Sequence, residues 1–230
     1  MSWPHSRWPR KNDSVQILAP RLLRRLIASP HAGMTERLIE IFARTGALLE
    51  GHFELDSQRH TPYFIRFSDI GWKPDLVAEV ASMLLELAPF AREPATIVCA
   101  ESSAIFLAQA LGRATGNPVA VAAIDTARRP TSMLRKGCIE PDRPILVVSD
   151  VISTGRSLAP LLTLQQDSEQ ILGIAAFAVL STTRFDQFAR AHGVDAEWLV
   201  SSTWEPHHPH PEDCMGCASD RTLLHASEFS

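Results

Sequence analysis

Four groups of residues in this chain have types and spacings that could do chemistry. The first is Asp150 followed by Ser153, Thr154, Gly155, Arg156 and Ser157. Hydroxyls and backbone N–H groups around a glycine, where a helix begins, suit a phosphate. A carboxylate beside them can hold a ribose hydroxyl, or a phosphate-bound Mg2+ through water. The second group is Ser102 and Ser103, which also open a helical pattern and offer hydroxyls but no positive charge. The third is Arg128 and Arg129, with Arg135 and Lys136, in the polar stretch 125–142. Arginine neutralises a diphosphate bidentately but does not readily donate a proton. The fourth is Cys214 and Cys217, a Cys-x-x-Cys pair beside His207, His208 and His210. These are the donors and spacing of a zinc site. The expected ligand set is Cys214, Cys217, His208 and His210, with two free thiols or a disulfide as the other readings.

These groups need elements to position them. Ile145–Val148 is a continuous apolar run, the pattern of a strand buried on both faces of a parallel sheet. Thr96–Cys99, Pro118–Ile124, Ile171–Leu180 and Trp198–Val200 read as further strands. Helical patterns fall between them: Asp75–Leu87, Ala104 to about Thr115, Ser157–Gln165 and Phe185–His192. Alternating strands and helices predict an α/β, Rossmann-like parallel sheet flanked by helices, with ligands at the carboxyl ends of the strands. Upstream, Thr35 is expected to cap a helix reaching about Leu49, and two short strands surround a polar turn between Phe53 and Ile65. The chain divides into a basic N-terminal extension (1–33), a helix and hood segment (34–95), the core (96–203) and a His/Cys-containing tail (204–230). The 125–142 stretch reads as a long polar loop, functional or disordered.

The chain has 230 residues, 45% hydrophobic and 21% charged, with a net charge of −4. That is the composition of a globular domain with a sizeable core and gives no overall bias toward nucleic acid. Residues 1–34 are basic, with Arg7, Arg10, Lys11, Arg21, Arg24 and Arg25 against Asp13. They predict either an arm for a nucleic-acid or protein partner or, preferred, a docked helix with a solvated basic face. No apolar run is long enough to span a membrane, arginines interrupt Leu18–Ile27, and a cytoplasmic location is expected.

The run Pro144–Leu158 resembles the phosphoribosyl-pyrophosphate (PRPP) motif of the type I phosphoribosyltransferases. In that pattern, four apolar residues precede two acids and a Thr-x-Gly-x-Ser/Thr turn. Ser149 stands at the first acidic position and Asp150 at the second. The segment Gly51-His-Phe-Glu-Leu-Asp-Ser-Gln-Arg-His-Thr-Pro-Tyr-Phe64 is similar to the hood of orotate phosphoribosyltransferases. The resemblance covers roughly Glu36–His192. It implies a type I phosphoribosyltransferase fold with a small N-terminal hood, Mg2+ as cofactor, nucleotide metabolism as setting and a homodimer as assembly. It also implies roles. Ser149, Asp150 and Ser153–Ser157 would bind PRPP, with Ser102 and Ser103 at the pyrophosphate. Arg128 and Arg129 fall near the family's catalytic lysine. Tyr63, Phe64 and Arg184 would flank the base. Asp56 replaces the hood lysine, and its charge opposes the carboxylate of orotate. The function expected is transfer of a phosphoribosyl group to or from a nucleobase-like acceptor. The alternative is a catalytically impaired PRPP or nucleotide-binding module, acting as a sensor or subunit. A third reading is a zinc-dependent interaction protein.

Overall fold

A computed structural model describes residues 15–29, 31, 33–55, 58–100, 102–127, 129–140, 142–164, 171–208, 210 and 212–226. The first elements are β1 (Gln16–Ile17), α1 (Pro20–Leu26) and β2 (Ile27–Ala28). Pro20 does not interrupt a longer helix. It occupies the opening of α1, where no N–H donor is needed. Leu18, Leu23 and Ile27 are buried, and Thr203 ties the end of α1 to the body through its N–H to Leu26 O and its hydroxyl to Arg25 O. Arg21, Arg24 and Arg25 stay on the outside, with Arg24 paired to Glu36. This is the docked helix with a solvated basic face. Arg7, Arg10 and Lys11 of the expected arm lie outside the described residues.

The next helix, α2 (Met34–Thr45), runs between Gly33 and Gly46, both in the left-handed region. Thr35 lies inside it and is not its cap. Then β3 (Leu48–Glu54) and β4 (His60–Ile65) form an antiparallel hairpin, the hood. Two helices, α3 (Ser68–Gly71) and α4 (Pro74–Leu87), lead into the core.

The core strands are β5 (Thr96–Ala100), β6 (Val119–Ile124), β7 (Pro130–Lys136), β8 (Ile145–Ile152), β9 (Ile171–Val179) and β10 (Ala196–Ser202). They are joined through α5 (Ala104–Thr115), α6 (Ala159–Leu162) and α7 (Thr182–His192). The seven-stranded sheet runs β2-β10-β9-β8-β5-β6-β7. Its five central strands are parallel, and β2 and β7 close the edges antiparallel. Alternate residues of β8 feed opposite cores. Leu146 and Val148 pack with α2, α4 and α5, whereas Ile145 and Val147 pack with Leu158, Leu161, Phe185 and Phe188. Burial on both faces is why β8 reads as an uninterrupted apolar run.

Two expectations change. Within the 125–142 stretch, Pro130–Lys136 is a strand, β7, paired antiparallel with β6. The helix after β8 is short, one 3-10 turn at Arg156–Leu158 followed by α6. Residues 165–170, its expected end, are outside the described set. The tail is not a separate unit. After α8 (Met215–Ala218), β11 (Leu224–His225) pairs parallel with Phe53 and Glu54 of β3, and His207 bridges to His60 of β4. Among the described residues, no helix is long and apolar enough to cross a membrane.

Candidate active site

In the central sheet β8 outruns its neighbour. The β5–β8 ladder ends at Cys99 and Val148, but β8 stays paired with β9 as far as Ile152 and Val179. Residues 149–152 therefore project beyond β5, and Asp150 meets the turn that opens α5. There Ser103 Oγ donates to Asp150 Oδ2. Burial pushes the Asp150 carboxyl up, and the hydrogen bonds from Ser103 and the Val151 backbone pull it partly back. A carboxylate short of solvation at the end of a parallel strand gains from any hydroxyl or cation a ligand brings. Ser149 is buried one residue earlier, and Cys99 beneath is inert: burial, then the charge of Asp150, push its thiol up to about 12.

The turn after β8 is shaped by Gly155, at φ +83°. A Cβ there would lie 2.6 Å from Phe188 Cδ1 and 2.9 Å from Phe185 Cδ2. Only glycine lets the loop sit this close to α7. The loop is pinned by Leu158 N–H to Gly155 O (2.8 Å) and Ser181 N–H to Ser153 O (3.2 Å). Ser153 Oγ is buried without a hydrogen-bond partner. A buried hydroxyl left unmatched costs about 1–3 kcal/mol, and a phosphate oxygen would match it. Thr154 is half-buried, while Arg156 and Ser157 are exposed. Because α6 is so short, a helix dipole adds little at this loop.

The flanking turns are occupied by their own contacts. Ser102 Oγ accepts the Ala104 N–H at 3.2 Å, and Ser103 is committed to Asp150. At the β6–β7 tip, Asp125 Oδ1 accepts the N–H groups of Ala127 and Arg129, and Oδ2 accepts from the Arg129 guanidinium at 2.8 and 2.9 Å. The Arg129 backbone and side chain hold the Asp125 carboxyl below its usual range. Arg129 is thus an exposed arginine already paired within its own turn. Arg128 lies outside the described residues, as does Asp56.

Tyr63 and Phe64 are neighbours on β4, so their side chains leave opposite faces of the hairpin. Tyr63 meets Trp204 edge-on at 5.1 Å, beside the main core. Phe64 packs against Phe53 at 5.5 Å in a small cluster with Leu49 and Leu224. The two rings cannot both stack on one base. Arg184 is half-buried in the first turn of α7, at the carboxyl end of β9.

No family model matches the chain. Among curated proteins, an orotate phosphoribosyltransferase from Thermus thermophilus is 31% identical over 183 residues, 78% of this chain and 94% of that protein. The chain belongs to the type I phosphoribosyltransferase family. Another member, an orotate phosphoribosyltransferase from Chlorobium phaeobacteroides, is 32% identical over 130 residues, 56% of this chain and 65% of that protein. In fold the chain is similar to the orotate phosphoribosyltransferase from Aeropyrum pernix, with a TM-score of 0.55 and 21% identity over 70% of this chain and 90% of that one. These relatives are named as transferases and lend no support to a non-catalytic sensor module.

Within this type I phosphoribosyltransferase fold the tail corrects one further expectation. His208 and His210 do not join the cysteines. His208 is exposed beside the Arg59 guanidinium, and His210 is exposed beside Glu212. The side chains grouped with Cys214 and Cys217 are His52 and His60, from the hood. Nearness in sequence had made the local histidines look like the natural partners. The available signal was a pair of histidines flanking the hairpin turn, eight residues apart.

Proposed function

We propose that this protein transfers the phosphoribosyl group of PRPP to a ring nitrogen of a flat, nucleobase-like acceptor and releases pyrophosphate. The observation that carries the reading is the loop Ser153–Ser157, with its buried, unmatched Ser153 hydroxyl, set beside the under-solvated Asp150 carboxylate. The loop would hold the 5-phosphate, and Asp150, oriented by Ser103, the ribose hydroxyls. The C1′–oxygen bond to pyrophosphate breaks with its electron pair leaving on the diphosphate. The acceptor nitrogen forms the new bond to C1′ and gives up its proton. Charge spreads over the ribose in an oxocarbenium-like transition state, so holding the ribose and excluding water provide the acceleration.

Mg2+ bound with PRPP would neutralise the diphosphate. A carboxylate with two serine hydroxyls suits a hard cation carried mainly by its substrate. Ser102 and the 125–129 turn would face the leaving group, which requires Arg129 to exchange Asp125 for diphosphate oxygens. Arg128 would act beside it, and Tyr63 and Arg184 would flank the acceptor. Asp56 in place of the family's hood lysine favours an acceptor without orotate's carboxylate. A homodimer is the assembly this family reading implies.

The test is a pair of measurements: titration of PRPP with Mg2+ by calorimetry, then pyrophosphate release over a panel of bases that includes orotate. Binding, with release for at least one base and less for orotate, is the expected result. Failure to bind PRPP sinks the proposal.

A further inference from the structure

The hood and the tail supply four donor atoms to one small volume. His52 Nε2, His60 Nδ1, Cys214 Sγ and Cys217 Sγ all lie within 4.8 Å of one another. His52 Nε2 is 2.9 Å from His60 Nδ1, 3.5 Å from Cys214 Sγ and 3.7 Å from Cys217 Sγ, and His60 Nδ1 is 3.2 Å from Cys217 Sγ. Zinc–nitrogen bonds of about 2.0–2.1 Å and zinc–sulfur bonds of about 2.3 Å give a tetrahedron with edges of about 3.3–3.8 Å. The four separations given lie within about 0.5 Å of those edges. We propose that His52, His60, Cys214 and Cys217 bind a structural zinc ion that clamps the tail to the hood hairpin.

Three features around the donors support a built site. His52 Nδ1 lies 3.0 Å from the Arg221 carbonyl. Only an N–H can bond a carbonyl, so Nδ1 carries the proton and Nε2 keeps its lone pair for a metal. Gly216, between the cysteines, lies against the His52 ring, where a Cβ would be 2.4 Å from Cδ2. A side chain there would push the ring out of the cluster. His52, His60 and Cys214 are each no more than 5% exposed, so the site is closed, as structural zinc sites are.

Charge balance also fits. On binding, the two thiols release their protons to solvent, and two thiolates with Zn2+ and two imidazoles sum to zero. A neutral centre avoids most of the penalty of burying charge. The clamp joins Cys217 to His60, 157 residues away, and to His52, 165 residues away. Backbone pairing already runs along the same seam: His60–His207 on β4, and β11 on β3.

This inference does not depend on the transferase reading. The experiment is metal analysis of the full-length protein purified without chelator, followed by Co2+ exchange. About one zinc per chain is expected, with Co2+ absorption typical of a tetrahedral site holding two thiolates. Chelation should lower the melting temperature by about 5 °C or more. Cys217→Ser and His60→Ala should lose at least tenfold in zinc affinity, while His208→Ala/His210→Ala keeps it. Four outcomes overturn the proposal: no metal in soluble wild-type protein and no tetrahedral Co2+ spectrum, a Cys214–Cys217 disulfide in the purified chain, a metal-free hydrogen-bonded cluster unaffected by chelator, or zinc lost with the His208/His210 variant. Because the wild-type measurements decide by themselves, a variant that fails to fold does not rescue the idea.

Discussion

Replacing Gly155 by alanine gives the sharpest test of the phosphate cradle. Two costs add. A non-glycine residue in the left-handed region costs about 1–2 kcal/mol. The new Cβ also falls 2.6 Å from Phe188 Cδ1, 2.8 Å from its Cγ and 2.9 Å from Phe185 Cδ2. Those rings cannot easily move aside. They stack 6.3 Å apart on α7, and Phe185 is wedged edge-on against Trp198 at 5.6 Å. Overpacking of this kind costs about 1–3 kcal/mol, for a total of about 2–5 kcal/mol. At about 2–4 °C per kcal/mol for a chain of this size, the melting temperature should fall by about 4–20 °C. Gly193→Ala is the control. Its φ is +62°, but nothing lies within 4 Å of the added Cβ, so only the backbone cost applies, about 2–8 °C. Below both melting points, calorimetry should show PRPP binding weakened at least tenfold in Gly155→Ala and unchanged in Gly193→Ala. If Gly155→Ala melts and binds like Gly193→Ala, the close approach of loop and helix does not shape the site and the argument fails.

Other expectations follow from the same geometry. Asp150→Asn should abolish PRPP binding yet stabilise the free protein near neutral pH. The Asp150 pKa is raised in the folded state, so the native protein holds more protons than the unfolded chain between the ordinary carboxylate pKa and the raised one, and stability falls as pH rises through that window. Thermal melts of both proteins across pH check the sign, and equal pH profiles refute it. Tyr63→Ala and Phe64→Ala should separate: the first raises KM for the acceptor, and the second costs about 2 kcal/mol of stability with little kinetic effect. Identical kinetic losses would contradict their placement on opposite faces. With a thiol reagent, the native zinc-loaded protein should show one fast cysteine, the exposed Cys138. Chelator should add Cys214 and Cys217, and Cys99 should stay silent. Two or more fast thiols before chelation would contradict the closed site. Arg129→Ala should lower kcat/KM for PRPP without changing acceptor KM, and an unchanged value would remove Arg129 from the leaving-group site.

Much of the core was legible because it is written in local periodicity. The apolar run Ile145–Val148 must be a strand buried on both faces, and the small polar residues after it must be a turn. That the central strands run parallel follows from strands alternating with helices; their order across the sheet came only from the structure. What periodicity could not show was where elements end or what a polar stretch does. Residues 125–136 are polar because β7 is an edge strand with a solvated face, so they imitated a loop. Thr35 looked like a cap, but the structure places the left-handed Gly33 before α2.

The sequence by itself pointed to the family, since the residues of the Pro144–Leu158 motif are contiguous and legible without knowledge of the fold. It also determined that two thiols at Cys214 and Cys217 lie within one turn of each other. Only the tertiary structure decided what meets them. His52 and His60 arrive from a hairpin more than 150 residues away, brought there by the pairing of β11 and His207 with the edges of the hood. The same is true of Tyr63 and Phe64, adjacent in the chain but separated by the sheet they build. Local spacing fixes which side chains share a turn or a face. Packing fixes which faces touch, and both the grouping of His52 and His60 with the two cysteines and the separation of Tyr63 from Phe64 depend on that contact.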